Sequence, residues 1–127
     1  MAQQAQSQLQ FPVRFVPYYG DTMDLVYDEN YEIFKWDEPD CVVLFSVARR
    51  GNAANIHFDC DRAALRRVRE AIGEFCEHLF SELEWCTMIM GIIEKPSVVR
   101  SVKKIGFNHI GSVDNLKVYV RLREWAV

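Results

Sequence analysis

Four arginines lie close together near the middle of the chain, at Arg62, Arg66, Arg67 and Arg69. Guanidinium groups hold anions through charge and paired hydrogen bonds, so a cluster of this kind is able to bind phosphate groups. The alternative is a solvated basic helix face that is paired with nearby acids. Those acids are Asp59, Asp61, Glu70 and Glu74. The sequence leaves both interpretations open.

Three other side chains are candidates for proton transfer: His57, Asp59 and Glu94. Residues 55–60 alternate in the manner of a strand, which puts His57 and Asp59 on one face. The pKa of an imidazole suits removal of a proton from an ammonium group near neutral pH. Glu94 follows another apolar run and is the weaker candidate base. The alternative for all three is an ordinary place on the protein surface.

The chain contains four cysteines, which raise the question of a metal site or of disulfides. They lie at Cys41, Cys60, Cys76 and Cys86. None forms a C-x-x-C pair, and the close spacings of His57 to Cys60 and of Cys76 to His78 do not repeat as zinc ligands do. We therefore expect no metal site, and reduced cysteines that serve as small buried hydrophobic residues.

Length and composition exclude several classes of protein. With 127 residues, of which 50% are hydrophobic, the chain is large enough for one domain with its own core. A net charge of -3 without a long basic block argues against nucleic-acid binding, which depends on Lys and Arg. No run approaches the roughly 18 apolar residues of a membrane span, and residues 1–8 do not resemble a signal peptide. We expect a cytoplasmic protein without membrane contact.

The first third of the chain gives the weakest patterns. Residues 1–9 are rich in Gln, Ala and Ser, which predicts a polar tail ahead of a single domain at 10–127. Apolar residues predict a first strand at 11–16, near whose start Pro12 is tolerated. Asp21 is a plausible N-cap, so a short helix followed by irregular chain is predicted as far as Trp36.

The middle of the chain gives clear patterns. A continuous apolar run predicts a strand at 41–48, and a turn at Gly51 and Asn52 leads into a strand at 55–60. Apolar residues then recur with a helical period from Leu65 to Trp85, after a cap at Asp59 or Asp61. A strand at 87–93 follows. This strand–helix–strand order predicts a parallel pair joined by a right-handed crossover.

The C-terminal part predicts a second helix and a hairpin. Pro96 opens the helix, Gly106 ends it in the left-handed conformation, and Phe107 supplies the accompanying hydrophobic contact. Strands at 108–113 and 116–123 flank a turn at Asp114 and Asn115. In the second of these strands four residues are predicted to face the core: Leu116, Val118, Val120 and Leu122. The predicted fold class is α/β (α+β), with a mixed, mostly antiparallel sheet, one central parallel βαβ pair and two main helices.

Residues 41–123, roughly, resemble the GNAT superfamily of acetyl-CoA-dependent N-acetyltransferases. The stretch Val102-Lys-Lys-Ile-Gly-Phe107 carries this resemblance, because it looks like the family's Tyr-Glu-Lys-Leu-Gly-Phe stretch at the end of its last helix. The resemblance implies that acetyl-CoA lies between two splayed parallel strands. Its pyrophosphate would bind a Gln/Arg-x-x-Gly-x-Gly/Ala loop that opens the long helix, and a general base would lie on the strand that carries His57 and Asp59.

The resemblance places the cofactor contacts at Arg62, Leu65, Arg66 and Arg67. Arg62 fits the first position of the loop, whereas Leu65 and Arg67 replace its glycines and would crowd the pyrophosphate. An expected Asn near the second helix is Lys95, and an expected Tyr proton donor is Val102. The sequence therefore predicts a GNAT-like fold whose acetyl-CoA site is degenerate.

Two classes of function follow from this resemblance. The favoured one is a protein that acts through protein contacts, as a homo-oligomer or in a larger assembly, because cofactor contacts and a proton donor are lost together. The alternative is an acetyl-CoA-dependent N-acyltransferase that acts on an amine. Small, glycine-poor GNAT-like proteins of this kind resemble those encoded among tailed-phage structural and assembly genes. That resemblance implies a location in a virion or in the host cytoplasm.

Overall fold

The computed structural model describes residues 14–124, which form a seven-stranded sheet with helices on one face. The elements in chain order are β1 (Phe15–Pro17), β2 (Glu32–Trp36), β3 (Val43–Arg50), β4 (Ala53–Cys60), a 3₁₀ segment (Arg62–Arg67), α1 (Val68–Glu82), β5 (Met88–Ile92), α2 (Pro96–Lys103), β6 (Asn108–Val113) and β7 (Leu116–Leu122). The strand order is β1-β2-β3-β4-β5-β7-β6. β4 and β5 pair in parallel and their neighbours pair antiparallel, which confirms the predicted fold class.

Aromatic side chains fill the core between the sheet and α1. Phe45 of β3 stacks on Phe75 of α1, with ring centroids 4.2 Å apart, and Phe15 meets Phe75 edge-on at 5.0 Å. Trp36 at the end of β2 is fully buried. Every side chain from Val43 to Ala48 is buried, so β3 is covered on both faces, as its continuous apolar run predicts.

The long helix begins differently from its prediction. Asp61, one of the two predicted caps, is the N-cap, and its Oδ1 accepts a hydrogen bond from the Ala64 amide at 3.1 Å. The next six residues form 3₁₀ rather than α-helical turns, which changes the angle between successive side chains. Leu65 was predicted on the buried face but is 63% exposed, whereas Ala64 and Val68 are buried. The α-helix then ends at Glu82, three residues before the predicted Trp85.

The end of α2 follows its prediction in detail. Pro96 lies in the first turn, and Gly106 has a φ of 98°. The Gly106 amide donates to the Lys103 carbonyl at 3.3 Å, and the Phe107 amide donates to the Val102 carbonyl at 3.0 Å. These two bonds define a Schellman motif.

Within residues 14–124, no helix is long and apolar enough to cross a membrane.

The C-terminal hairpin is confirmed, but the orientation of its second strand is not. Asp114 and Asn115 both have positive φ, as a two-residue hairpin turn requires. Tyr119 and Arg121 face the helices, whereas Val118 and Val120 are buried on the opposite face and Leu116 is exposed. β7 has buried residues on both faces, so its apolar alternation does not reveal which face meets the helices.

The segment 18–31 covers the second face of the sheet without forming a helix or a strand. The helix predicted to begin at Asp21 is therefore wrong: the Asp21 carboxylate accepts from the nearby Met23 amide in a turn. Leu25 is buried, and the Ser46 hydroxyl of β3 donates to the Val26 carbonyl at 2.6 Å.

The sequence did not predict β2, which pairs with β1 on one side and with β3 on the other. The first strand was predicted at 11–16, and β1 spans Phe15–Pro17. Residues 11–13 and the predicted tail at 1–9 lie outside the described residues.

Candidate functional site

The parallel strands β4 and β5 part after a short paired stretch. Residues 53–55 of β4 pair with residues 88–90 of β5, whereas residues 56–60 pair only with β3. A Cβ on Gly91 would lie 3.3 Å from the Ile56 carbonyl oxygen, so the two strands are still close at the point where pairing ends. The opening that follows is the place where the GNAT resemblance expects acetyl-CoA.

At the start of the 3₁₀ segment, the side chain of Asp61 is bonded to a backbone N–H group that an anion would otherwise use. The Ala64 amide donates both to the Asp61 carbonyl at 3.2 Å and to the Asp61 carboxylate at 3.1 Å. An anion site at a helix N-terminus needs free N–H groups and no competing negative charge. The GNAT resemblance expects the pyrophosphate at this N-terminus, where the Asp61 carboxylate is already an acceptor of the Ala64 amide.

Arg67, a predicted cofactor contact, is held in an ion-pair network instead. Its guanidinium donates to both Glu70 oxygens, at 3.0 and 3.1 Å, and to Glu38, and it lies over the Trp36 ring. The hydrogen bonds that Arg67 donates to Glu70 and Glu38 raise the pKa of Arg67. Hydrogen bonds from Arg67 and then Arg14 hold the pKa of Glu38 below its ordinary value. Arg67 therefore joins α1 to the β2–β3 loop.

The other predicted cofactor residues point to solvent. Arg62, Leu65 and Arg66 are exposed. Within residues 14–124, neither arginine pairs with a carboxylate, although Asp59, Asp61, Glu70 and Glu74 were the predicted partners. The four predicted contacts are thus adjacent in the fold. Three of them are exposed at the surface, and the fourth, Arg67, is held in ion pairs with Glu38 and Glu70.

His57 lies on the sheet face opposite the helices, within a small polar group. The Asn55 amide donates to the Tyr31 hydroxyl at 2.7 Å, and that hydroxyl lies 3.4 Å from His57 Nε2. The Tyr31 hydrogen is not used by Asn55, so it is available to His57. Burial lowers the pKa of His57, which favours the neutral imidazole. A neutral imidazole is the form that accepts a proton.

Asp59 and Glu94 do not join His57. Asp59 shares the face of His57, as predicted, and its carboxylate accepts from the Asp24 amide at 2.9 Å. Glu94 is exposed in the connection between β5 and α2. In the described part of the chain, no hydrogen bond joins any two of these three candidate bases.

Three residues that were not among the predicted site residues contribute to these arrangements: Tyr31, Asn55 and Glu38. Asn55 could have been found, because it shares its strand face with His57. Tyr31 and Glu38 lie in irregular segments far along the chain from their partners, and no local pattern identifies them.

A groove of about 810 Å³ lies along the outer side of α1 rather than at the strand opening. Arg121 lies beneath it, largely buried, and pairs with the exposed Glu77.

Burial raises the pKa of Cys76, which neighbours Arg121, to about 12. All four cysteines are free thiols. In residues 14–124, no cluster of three His, Cys, Asp or Glu side chains could hold a metal ion.

Among the comparisons with known proteins, only the comparison with solved structures found matches. Neither a protein-family model nor a curated protein matches the chain. The dodecameric spermidine N-acetyltransferase from Vibrio cholerae is similar with a TM-score of 0.61 and 15% identity, over 76% of this chain and 67% of that one. AAC(6')-Ib in complex with ribostamycin and coenzyme A is similar with a TM-score of 0.59 and 18% identity, over 76% of this chain and 66% of that one.

Identity at this level shows the fold and leaves the activity of this chain open. The structure has the features that the sequence predicted for this fold: the mixed sheet, the single parallel pair and the helix that connects the two parallel strands. The parting of β4 from β5 adds the opening that the resemblance implies. The chain therefore has a GNAT-like fold.

Proposed function

We propose that this protein acts by binding other protein molecules and does not transfer acetyl groups. The observation that carries the proposal is the Asp61 carboxylate, which occupies the Ala64 amide at the position where the cofactor's pyrophosphate would bind. Leu65 and Arg67 stand in place of glycines on the same turn. The sheet and its helices then serve as a scaffold whose surfaces make the functional contacts.

The energy of electrostatic repulsion, compared with the energy of a hydrogen bond, supports this proposal. Like charges about 4 Å apart near a protein surface repel by about 4 kcal/mol, whereas a hydrogen bond to a charged group contributes about 1.5–3 kcal/mol. Arg62 and Arg66 are exposed, and each side chain would lose conformational freedom on binding. Repulsion from Asp61 therefore offsets what one or two arginines would gain from a phosphate.

A second candidate is an acetyl-CoA-dependent N-acyltransferase that acts on an amine. It is favoured by the opening between β4 and β5 and by the neutral His57 beside the Tyr31 hydroxyl. AAC(6')-Ib, which is similar in fold, holds coenzyme A in its structure. This candidate needs a path for the cofactor that avoids the Asp61 turn.

Calorimetric titration with acetyl-CoA, and separately with CoA, distinguishes the two candidates. We expect no saturable heat at low salt, or weak heat that disappears at about 0.5 M salt, where exposed charges are screened. Stoichiometric binding that tolerates salt and is abolished by Arg62→Ala would overturn the proposal and favour the acyltransferase. Lys117→Ala, an exposed cation on β7, is the matched control.

The context of the protein contacts is a finer part of the proposal. The resemblance to small GNAT-like proteins encoded among tailed-phage structural genes favours a virion or an assembly intermediate as the place of action. If this is correct, the chain should co-sediment with assembled particles from its source. Recovery of the protein only as a free chain would contradict this part and leave the rest of the proposal standing.

A further inference from the structure

Charge is strongly segregated along this chain, and one end of the helical layer is basic. Residues 62–69 contain four arginines and no acid, and residues 95–104 contain four cations and no acid. We call the exposed set Arg62, Leu65, Arg66, Arg69 and Lys104 the basic surface. Arg69 and Lys104 line the groove between the start of α1 and the end of α2, which Glu70, Glu74 and Glu77 also line. Leu65, 63% exposed, is an apolar side chain among these cations.

The segment that covers the opposite face of the sheet has the reverse composition. Residues 17–34 contain five acids and no Lys or Arg. We call the exposed acids within residues 18–31 the acidic surface: Asp21, Asp24, Asp28 and Glu29. Exposed apolar side chains lie among them, because Tyr19 is 94% exposed, Val26 is 60% exposed and Tyr27 is 46% exposed. Each set thus combines charges of one sign with exposed apolar groups, while Glu70 lies beside the basic set and Arg50 lies over Tyr31 in the acidic segment.

The sheet separates the two surfaces, so one chain does not use them to neutralise each other. The acidic segment is held on its own face by the bond from the Asp24 amide to Asp59 and by the bond from Ser46 to the Val26 carbonyl. α1 packs on the other face through Phe75. The ion pairs within residues 14–124 involve Arg14, Arg67 and Arg121, and none joins the basic surface to the acidic surface.

We infer that the basic surface of one copy of this chain binds the acidic surface of a second copy, head to tail. The inference rests on the proposed function, since it names the partner of a protein that acts through protein contacts. Charge complementarity selects the second copy, because the surface that fits the basic one is present on the same molecule. An interface between two different surfaces is heterologous, so repeated contacts give a ring or a filament.

The composition of the two surfaces sets the expected character of the contact. Exposed ion pairs contribute little individually and are screened by salt, so charge mainly steers the encounter. Burial of Leu65 against aromatic side chains such as Tyr19 and Tyr27 would supply the non-polar part of the interface. We therefore expect association at low salt that weakens at least tenfold at about 0.5 M salt.

Two charge-reversal variants test the inference by sedimentation velocity. The basic-surface variant is Arg62→Glu with Arg66→Glu, and the acidic-surface variant is Asp24→Lys with Glu29→Lys. These four side chains make no hydrogen bond or ion pair within residues 14–124, so both variants should fold, which circular dichroism checks. Each variant alone should be monomeric, whereas the control Lys117→Glu should assemble as the unmodified chain does.

An equimolar mixture of the two variants gives the decisive result. Each variant keeps one intact surface, and the two reversed surfaces again carry opposite charges, so mixing should restore the assembly that each variant alone has lost. Loss of all assembly in the mixture would overturn the head-to-tail arrangement, as would unchanged assembly of either variant alone. A wild-type chain that stays monomeric at low salt would also overturn it.

The outcomes separate this inference from the proposed function. A monomeric chain that fails to bind acetyl-CoA leaves the proposed function in place with a different protein as the partner. A chain that assembles head to tail but binds acetyl-CoA stoichiometrically keeps the inference and overturns the proposed function.

Discussion

Asp61 and Glu38 are the two acids on which the start of the long helix depends. Asp61 satisfies the Ala64 amide, one of the N–H groups that a helix N-terminus leaves without an internal partner. Glu38 accepts from Arg14 at 2.7 Å and also pairs with Arg67, so it joins β1 to the first turns of the helical layer. Both acids are therefore structural residues at the start of the helical layer.

Replacement of Asp61 should separate its capping role from its charge. Asp61→Ala removes the acceptor and should lower the free energy of unfolding by about 1 kcal/mol, the ordinary cost of losing a cap. Asp61→Asn keeps an acceptor oxygen without the charge and should retain most of that stability. Urea denaturation of both variants measures the difference, and equal losses would contradict a capping role.

The ion pairs of Glu38 make stability depend on acid pH. Because Arg67 and Arg14 lower the pKa of Glu38, its contribution is present above the unfolded value of 4.5 and is lost as pH falls through the lower folded pKa. Glu38→Gln should therefore be less stable than the unmodified chain at pH 7, with a difference in Tm that shrinks below pH 4.5. Glu29→Gln, at an exposed position, is the control. A Tm difference that does not change with pH would contradict the ion-pair explanation.

At the scale of elements, the sequence predicted the parts whose signals are local. α1, α2 and the C-terminal hairpin have caps, a helix-stopping glycine and a turn pair within a few residues of the element itself. β2 has no such signal, because it is a strand through pairing with β1 and β3. The 3₁₀ segment reversed the exposure of Leu65 for a similar reason: helical period alone does not distinguish three residues per turn from 3.6.

Gly106 ends α2 in a conformation that other residues rarely adopt. Its φ of 98° means that Gly106→Ala should lower the free energy of unfolding by about 1–2 kcal/mol, the penalty for a Cβ in the left-handed region. Gly111→Ala is the matched control, since a Cβ there meets no atom within 4 Å. Thermal or urea denaturation compares the two, and equal losses would show that the Schellman motif contributes little.

The candidate site was predictable to a similar extent. Strand alternation placed His57 and Asp59 on one face, and the structure has them there. It did not reveal that Tyr31, from an irregular segment, would place its hydroxyl beside His57. Sequence position also could not show that Arg67 is held by Glu38, because that pairing spans the β2–β3 loop and the start of the helix.

At the scale of the whole molecule, the two layers that cover the sheet each partly bury a histidine. His57 lies under the segment 18–31, and His78 of α1 packs against Phe15, 5.3 Å between ring centroids. Burial lowers the pKa of both imidazoles. Both covered faces therefore favour neutral histidine.

These histidines should destabilise the fold at mildly acid pH. Below the unfolded value of 6.5, the unfolded chain binds protons that the folded chain does not, so the free energy of unfolding should fall as pH decreases from 7 towards 5. His57→Gln with His78→Gln should reduce this slope, measured by urea denaturation across that range. His109→Gln, at an exposed position, is the control. An unchanged slope in the double variant would contradict the prediction.

The layer formed by residues 18–31 has a consequence for local opening. Leu25 is the one buried side chain of residues 18–31, and burial of a leucine contributes about 1.5–3 kcal/mol. Global unfolding of a domain costs about 5–15 kcal/mol, so this layer can detach while the sheet and helices stay folded. Backbone amides of the layer would then exchange with solvent long before those of β3, and a protease would cut there first. Detachment would uncover His57 and Ser46 and would carry the acidic surface away from the sheet as a flexible arm.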